Sequence, residues 1–447
     1  MASLTSEDTQ AESATPESFV YVEERCTELY RLRDTYFPPS ADEKDAKLKP
    51  IVDDIVRNVD GFEDNTVKKR GWKARAAYLK GKALSVFETY NAEAESNLSK
   101  SVKLDPSNMD AWNCLAECFW KNSDLLTAQT CLEGALKIKR EQSTLCLYSM
   151  LLRQIKPDST TMVKNVKASI ATAKEAVSLG LSNAHAWYVL GNAYLGSFFN
   201  LAHEQADLKR ALSAYGNAEK HRDENVNLLP DLYYNRAEVH SYLQNYSLAI
   251  MDYRRAGMID PVGLSAEEKI AQIYRNIFKT SELASKKCGV KAKRLEGLVK
   301  TMLASEFHKA VVATSEKQEK ENLRSKFVGL SGLRVGENPG TVVPLTYLIP
   351  STVEVTPSLI MFADMEQECV CVALYHVGQD RLDFFNSKHV YHVIDPVLKM
   401  IELKNEQTGK VTSIPCIQVE HPNRLLRDGN LLSSFYTHES MRMTNRG

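Results

Sequence analysis

From Phe19 the apolar positions Phe19, Val22, Cys26, Leu29, Leu32 and Tyr36 recur at three- and four-residue steps, the spacing of one helix face. Pro38 and Pro39 predict its end, because proline has no N–H to continue the ladder. Ile51, Ile55 and Val59 keep a four-residue step in a second helix over 48–59. Residues 1–17 ahead of them are acidic and rich in Ser and Thr. They are too polar to offset the entropy of ordering, and a disordered tail is expected.

A longer period follows. Ala111-Trp-Asn-Cys-Leu-Ala-Glu-Cys-Phe precedes Ala128, Leu132 and Ala135, and Ala186-Trp-Tyr-Val-Leu-Gly-Asn-Ala-Tyr precedes Ala211, Tyr215 and Ala218. Leu79, Gly81, Ala94, Ser101 and Pro106 form another copy, and Tyr233, Ala237, Ala249, Tyr253, Ala256 and Pro261 a fourth. The shared order of large, small and proline positions resembles the tetratricopeptide repeat, a helix–turn–helix unit of about 34 residues. Small residues let paired helices approach, and large ones fill the gaps. A weaker copy places its first helix over 145–155 and its second over 166–179, with Ser149 and Ser169 at small positions. Its connection, 156–164, is long, as is 195–208 in the Trp187 copy. Further helices are expected over 266–284 and 295–324, the latter capping the stack.

Near Phe327 the period changes to β-branched runs: Thr341-Val-Val, Thr352-Val-Glu-Val, Leu359-Ile-Met-Phe, Cys369-Val-Cys-Val-Ala-Leu-Tyr, His389-Val-Tyr-His-Val-Ile and Ser413-Ile-Pro-Cys-Ile-Gln-Val. Short strands separated by turn residues predict a small barrel, with the OB-fold as the natural candidate. The expected protein is mainly α: a tetratricopeptide-repeat solenoid followed by a small C-terminal OB-fold β-barrel. The expected order is a tail at 1–17, capping helices at 18–66, the solenoid at 67–285, a basic segment with capping helices at 286–326, the β domain at 327–426 and a polar tail at 427–447.

Charge narrows the function. In 447 residues, 56 Lys and Arg nearly balance 57 Asp and Glu, so nucleic-acid binding would need a local patch. Nine scattered Cys match neither a disulfide framework nor a zinc site, which suggests reduced thiols in the cytoplasm or nucleus. The start lacks a signal-peptide pattern, and no stretch approaches the roughly 18 apolar residues of a spanning helix. Nucleophile elbow, phosphate loop, dinucleotide fingerprint and zincin helix are all absent, so neither an enzyme nor a cofactor is expected. Cys369, Cys371 and His376 suit strand packing better than a metal, and His240 suits a core position.

In a tetratricopeptide stack the first helix of each pair lines the concave wall. Counting from the small positions puts Asp110, Asn113, Glu117, Lys121, Arg153, Tyr188, Asn192, Asp231, Tyr234 and Glu238 on that wall. Amides and mixed charges there suit an extended peptide, although the same residues could solvate an open face. Lys286, Lys287, Lys291, Lys293 and Arg294 form a basic run with no acid, readable as a solvated loop, a localisation signal or a phosphate contact. Residues 327–426 hold seven Lys and Arg against eleven Asp and Glu, which disfavours single-strand binding despite Tyr375, Phe384 and Phe385.

Several stretches together carry a resemblance. Cys26-Thr-Glu-Leu-Tyr-Arg-Leu-Arg-Asp-Thr-Tyr-Phe, Leu79-Lys-Gly-Lys-Ala-Leu, Ser149-Met-Leu-Leu-Arg-Gln, Trp187-Tyr-Val-Leu-Gly-Asn-Ala-Tyr-Leu, Pro230-Asp-Leu and Gly340-Thr-Val-Val look like the Strap family, the tetratricopeptide repeat protein 5 proteins with a C-terminal OB domain. The resemblance covers about residues 19–426. It implies an adaptor that recognises the nascent N-terminal peptide of tubulin at the ribosome. Such an adaptor triggers tubulin mRNA decay through a further adaptor and a deadenylase. It also implies a second role, a nuclear stress cofactor that bridges a histone acetyltransferase. Under it, Arg153 and Asp231 match peptide-binding residues, Glu267 stands near a third, and Lys291 and Lys293 match residues that contact the ribosome.

Overall fold

The computed structural model describes residues 17–62, 70–201, 204–223, 229–318, 326–352, 357–375, 385–404, 409 and 411–431. His376, Phe384 and nearly all of the two expected tails lie outside them. The fold is mainly α, with a β-rich C-terminal part. Two compact units make it up, one of residues 1–233 with 256–264 and one of 234–255 with 265–447.

In the first unit α1 (Glu17–Thr35) and α2 (Ala41–Asp60) precede four helix pairs. These are α3 (Arg70–Leu84) with α4 (Ala92–Leu104), α5 (Met109–Lys121) with α6 (Leu125–Ile138), α7 (Gln142–Leu152) with α8 (Ser159–Leu179), and α9 (Ala184–Asn200) with α10 (Gln205–Lys220). Asn91, Asn108, Asp124, Asp158 and Asn183 each start a helix by accepting a hydrogen bond from a backbone N–H two or three residues on. Each such cap contributes about 1 kcal/mol. Trp112 and Trp187 share one use: the indole N–H donates to the Pro106 carbonyl at 2.9 Å and to the Leu181 carbonyl at 2.8 Å. The two long connections are shorter than expected because α8 begins at Ser159 and α9 runs on to Asn200.

The small positions do what the repeat requires. A Cβ on Gly81 would meet the Leu98 side chain at 2.6 Å, and one on Gly191 would meet the Tyr215 ring at 2.5 Å. Where Gly is replaced by Ser149, the contact with α8 becomes polar: its hydroxyl donates to the Ser169 carbonyl and the Ser169 hydroxyl donates back, both at 2.9 Å.

Helices α11 (Pro230–Tyr242) and α12 (Tyr246–Ile259) contribute residues to both units. In the second unit, Arg236 and Asp252 join them by two hydrogen bonds of 2.7 Å in a buried fork-to-fork pair. Next come α13 (Ala266–Ser285), α14 (Ala292–Ala304) and α15 (Glu306–Gln318). The strands are β1 (Lys326–Phe327), β2 (Gly336–Glu337), β3 (Thr341–Thr352), β4 (Ser358–Ala363), β5 (Cys369–Leu374), β6 (Val390–Ile394), β7 (Val397–Lys404), β8 (Val411–Val419), β9 (Leu425–Arg427) and β10 (Asn430–Leu431). They form one sheet in the order β10-β9-β6-β3-β4-β5-β8-β7-β2, with β1 beside β3. Phe362, Phe385, Tyr391, Ile360 and Val372 centre its core.

This sheet explains why residues 234–255 belong to the second unit. Tyr375 donates to the Tyr242 carbonyl at 3.1 Å and Gln418 to Gln244 at 2.8 Å, while Lys399 donates to the Leu243 carbonyl and to Asn245. The α11–α12 turn is thereby hydrogen-bonded to β7, to β8 and to the residue that follows β5.

Gly191→Ala should lower stability by about 1–3 kcal/mol through overpacking against Tyr215. Gly134→Ala, in mid-α6 with nothing within 4 Å of the added Cβ, should raise it by about 0.5–1 kcal/mol. Urea denaturation of both variants checks the pair, and equal effects would contradict the close approach at Gly191.

Candidate functional site

Arg153 ends α7 as its C-cap residue, with helical φ and ψ, so its side chain continues the face that carries Ser149 one turn earlier. It is 4% exposed. One terminal nitrogen (Nη1) reaches the Ser169 hydroxyl at 3.2 Å and the Ser149 hydroxyl and carbonyl at 3.4 Å each. The buried Nε has no acceptor, and no carboxylate among the described residues pairs with the guanidinium. Burial holds its pKa down to about 10, partly opposed by Tyr188, Tyr215 and Cys146. A buried charge that keeps only neutral, long hydrogen bonds is costly, and an incoming anion would relieve that cost.

Helix α9 supplies the neighbouring wall. Tyr188 is 3% exposed and Asn192 1%. Asn192 accepts the Tyr215 hydroxyl at 2.7 Å, fixing a ring that the bare Cα of Gly191 admits. Asp231 follows Pro230 in the first turn of α11, where a proline needs no donor and a carboxylate suits the helix N-terminus. Burial pushes the Tyr188 phenol pKa up, Asp231 adds to the rise, and Arg153 opposes it. One tyrosine therefore feels the charge of both the cation and the carboxylate.

The other expected wall residues separate into uses. Asn113 donates to Ser143 at 3.3 Å, and its buried carbonyl oxygen has no partner. Glu117 is half-buried near Tyr30 and Arg33, whose pKa values its charge helps raise. Lys121, expected on the peptide wall, has an internal use. Its ammonium donates to the carbonyls of Ser85 at 2.6 Å and Phe87 at 2.8 Å, bracing the α3–α4 connection. In the second unit Tyr234 packs edge-on against Tyr253. Glu238 accepts from Tyr253 and pairs with Lys269 at 2.8 Å, so its charge is already answered. Glu267 is exposed in the first turn of α13. Counting missed Ser149, Ser169 and Tyr215 as parts of the arginine site, because a small or ring position gives no sign of a polar task.

The basic run also divides. Lys286 pairs with Glu282 at 2.6 Å and Lys287 with Glu368 at 3.2 Å. Lys291, Lys293 and Arg294 are exposed at the start of α14 and have no ion pair among the described residues. Cations at a helix N-terminus oppose the macrodipole.

Residues 324–440 match the family model described as the tetratricopeptide repeat protein 5 OB fold domain. Tetratricopeptide repeat protein 5 of Mus musculus is 31% identical over 404 residues, 90% of each chain. The chain belongs to the tetratricopeptide repeat protein 5 family. The human protein of that name is 29% identical over 411 residues, covering 91% of this chain and 92% of its own. Among solved structures, YrrB, titled a TPR protein with an unusual peptide-binding site, is 16% identical. It covers 46% of this chain and 94% of its own at a TM-score of 0.32. Family membership and paired-helix architecture make this chain a protein-interaction scaffold. No helix among the described residues is long and apolar enough to cross a membrane.

Replacing the unpaired charge tests the site. Arg153→Met should stabilise the protein by on the order of 1–3 kcal/mol in thermal denaturation, since an apolar chain of similar length removes the desolvated cation. A marked loss of stability would mean that the guanidinium already has its partner.

Proposed function

We propose that this tetratricopeptide repeat protein 5 homologue is a non-enzymatic adaptor for tubulin autoregulation. Its helical repeats take the nascent N-terminal peptide of tubulin at the ribosome, and its bound state triggers tubulin mRNA decay through a recruited adaptor and deadenylase. The observation that carries this reading is the buried Arg153, which pairs with no carboxylate among the described residues, together with a buried Tyr188 that feels the charges of both Arg153 and Asp231. A short peptide with one acidic and one basic group suits such a site: its carboxylate meets the guanidinium and its cation faces Asp231. Asn113 offers a further buried acceptor to a peptide N–H.

Lys291, Lys293 and Arg294 form the second arm of the proposal, a contact to ribosomal RNA phosphates. Having no ion pair among the described residues supports it, whereas Lys286 and Lys287 are engaged elsewhere. Joining two modest contacts on one particle raises the effective concentration of each site for the other. The adaptor then responds to a ribosome that displays the right peptide rather than to either alone.

Arg153→Ala should weaken binding of a synthetic tubulin N-terminal peptide about 30-fold or more, the cost of leaving a buried charge contact unmade. Fluorescence anisotropy measures it, and Arg153→Met serves as the folded control. Unchanged affinity in both variants removes the peptide site. Lys291→Glu with Lys293→Glu should abolish co-sedimentation with ribosomes and flatten its salt dependence, while peptide affinity in solution stays the same.

A further inference from the structure

Seven of the nine cysteines are buried; Cys288 and Cys369 are half-exposed. These two, 81 positions apart in sequence, place their sulfurs 3.4 Å from each other. Cys288 lies in a tight turn between α13 and α14 where three successive residues take positive φ: Lys287 at 45°, Cys288 at 54° and Gly289 at 69°. Left-handed backbone at Lys287 and Cys288 is strained and persists only where its surroundings hold it. Here the holders are local. Gly289 and Val290 donate to the carbonyls of Lys286 and Lys287 at 2.9 and 3.0 Å. The Lys287 ammonium reaches the Gln367 carbonyl at 3.1 Å and Glu368 at 3.2 Å, which clamps the turn to the residues that lead into β5.

We propose that Cys288 and Cys369 form a peroxide-responsive oxidation site, closing a disulfide between the α13–α14 turn and the first residue of β5. The sulfurs need to approach by little more than 1 Å to reach the roughly 2.05 Å of the bond. Cys288 is the attacking thiol. The hydrogen bond from Cys369 lowers its pKa against the effect of burial, while the same bond and burial push the Cys369 thiol up. Its thiolate attacks one oxygen of hydrogen peroxide, the O–O bond breaks, and the departing hydroxide is protonated to water. Cys369 then attacks the sulfenic sulfur; the S–S bond forms, the S–O bond breaks, and a second water leaves with the thiol proton. Two thiols lose two electrons, and one peroxide is reduced to two waters.

Selectivity follows from exposure. Cys26, Cys118 and Cys131 are buried, and desolvation pushes each thiol up to about 11, away from the reactive thiolate. The test treats the reduced full-length chain with hydrogen peroxide, blocks remaining thiols by alkylation, and maps unreduced peptides by mass spectrometry. A 288–369 cross-linked peptide is expected before loss of any other thiol. In Cys369→Ser the reaction should stop at sulfenic acid on Cys288, captured by dimedone. In Cys288→Ser, Cys369 should remain alkylatable. The proposal is overturned if both thiols outlast the buried ones, if Cys288 joins a second chain instead, or if dimedone labels the unsubstituted chain as strongly as Cys369→Ser.

Discussion

A guanidinium almost fully withdrawn from water, which pairs with no carboxylate among the described residues, is the constraint on which the site in the helical-repeat unit depends. Proteins ordinarily bury arginine only with a partner, because the desolvation cost of a bare charge runs to several kcal/mol. Arg153 has two serine hydroxyls and a carbonyl at the long end of hydrogen bonding. The stability of the remaining helices carries that expense. The same burial gives the charge its reach, since a field set in low dielectric acts far more strongly than one at the surface.

What makes such a site possible is the tightness of the pairs on either side. Ser149 and Ser169 sit where two helix backbones nearly touch, so their hydroxyls are fixed by reciprocal hydrogen bonds before any ligand arrives. Gly191 lets Tyr215 lie flat against α9, and Asn192 holds its hydroxyl. The residues that build the stack and the residues that shape the site are therefore neighbours on the same turns. A substitution at a packing position would shift the site residues without touching a ligand.

The helix pairing is legible in the chain because the repeat writes its geometry into residue size. Small residues at 81, 116, 149, 191 and 237 give the register, and register alone put Arg153 and Asp231 on one wall. The β domain was harder to read. Thr341-Val-Val reads as an isolated run because Pro344 interrupts it, yet β3 continues to Thr352. It changes partner, pairing with β6 up to Thr346 and with β4 from there on, and bulges absorb the irregularity. Strand β7 escaped notice because its apolar positions 397, 398, 400, 401 and 403 do not alternate. Ordered pairing also runs through β10 to Leu431, past the expected boundary at 426. A lysine on a helix face does not reveal in sequence that the Ser85 and Phe87 carbonyls stand within reach of its ammonium, as they do for Lys121.

The two repeat tryptophans have a mechanical consequence. Each indole grips a carbonyl just beyond the end of the preceding helix, Trp112 behind α4 and Trp187 behind α8. Successive pairs are thus coupled like links with a stop pin, free to flex a little but not to slide. Tension applied along the stack would be passed from link to link through these pins, and slippage of one would loosen only its immediate neighbours.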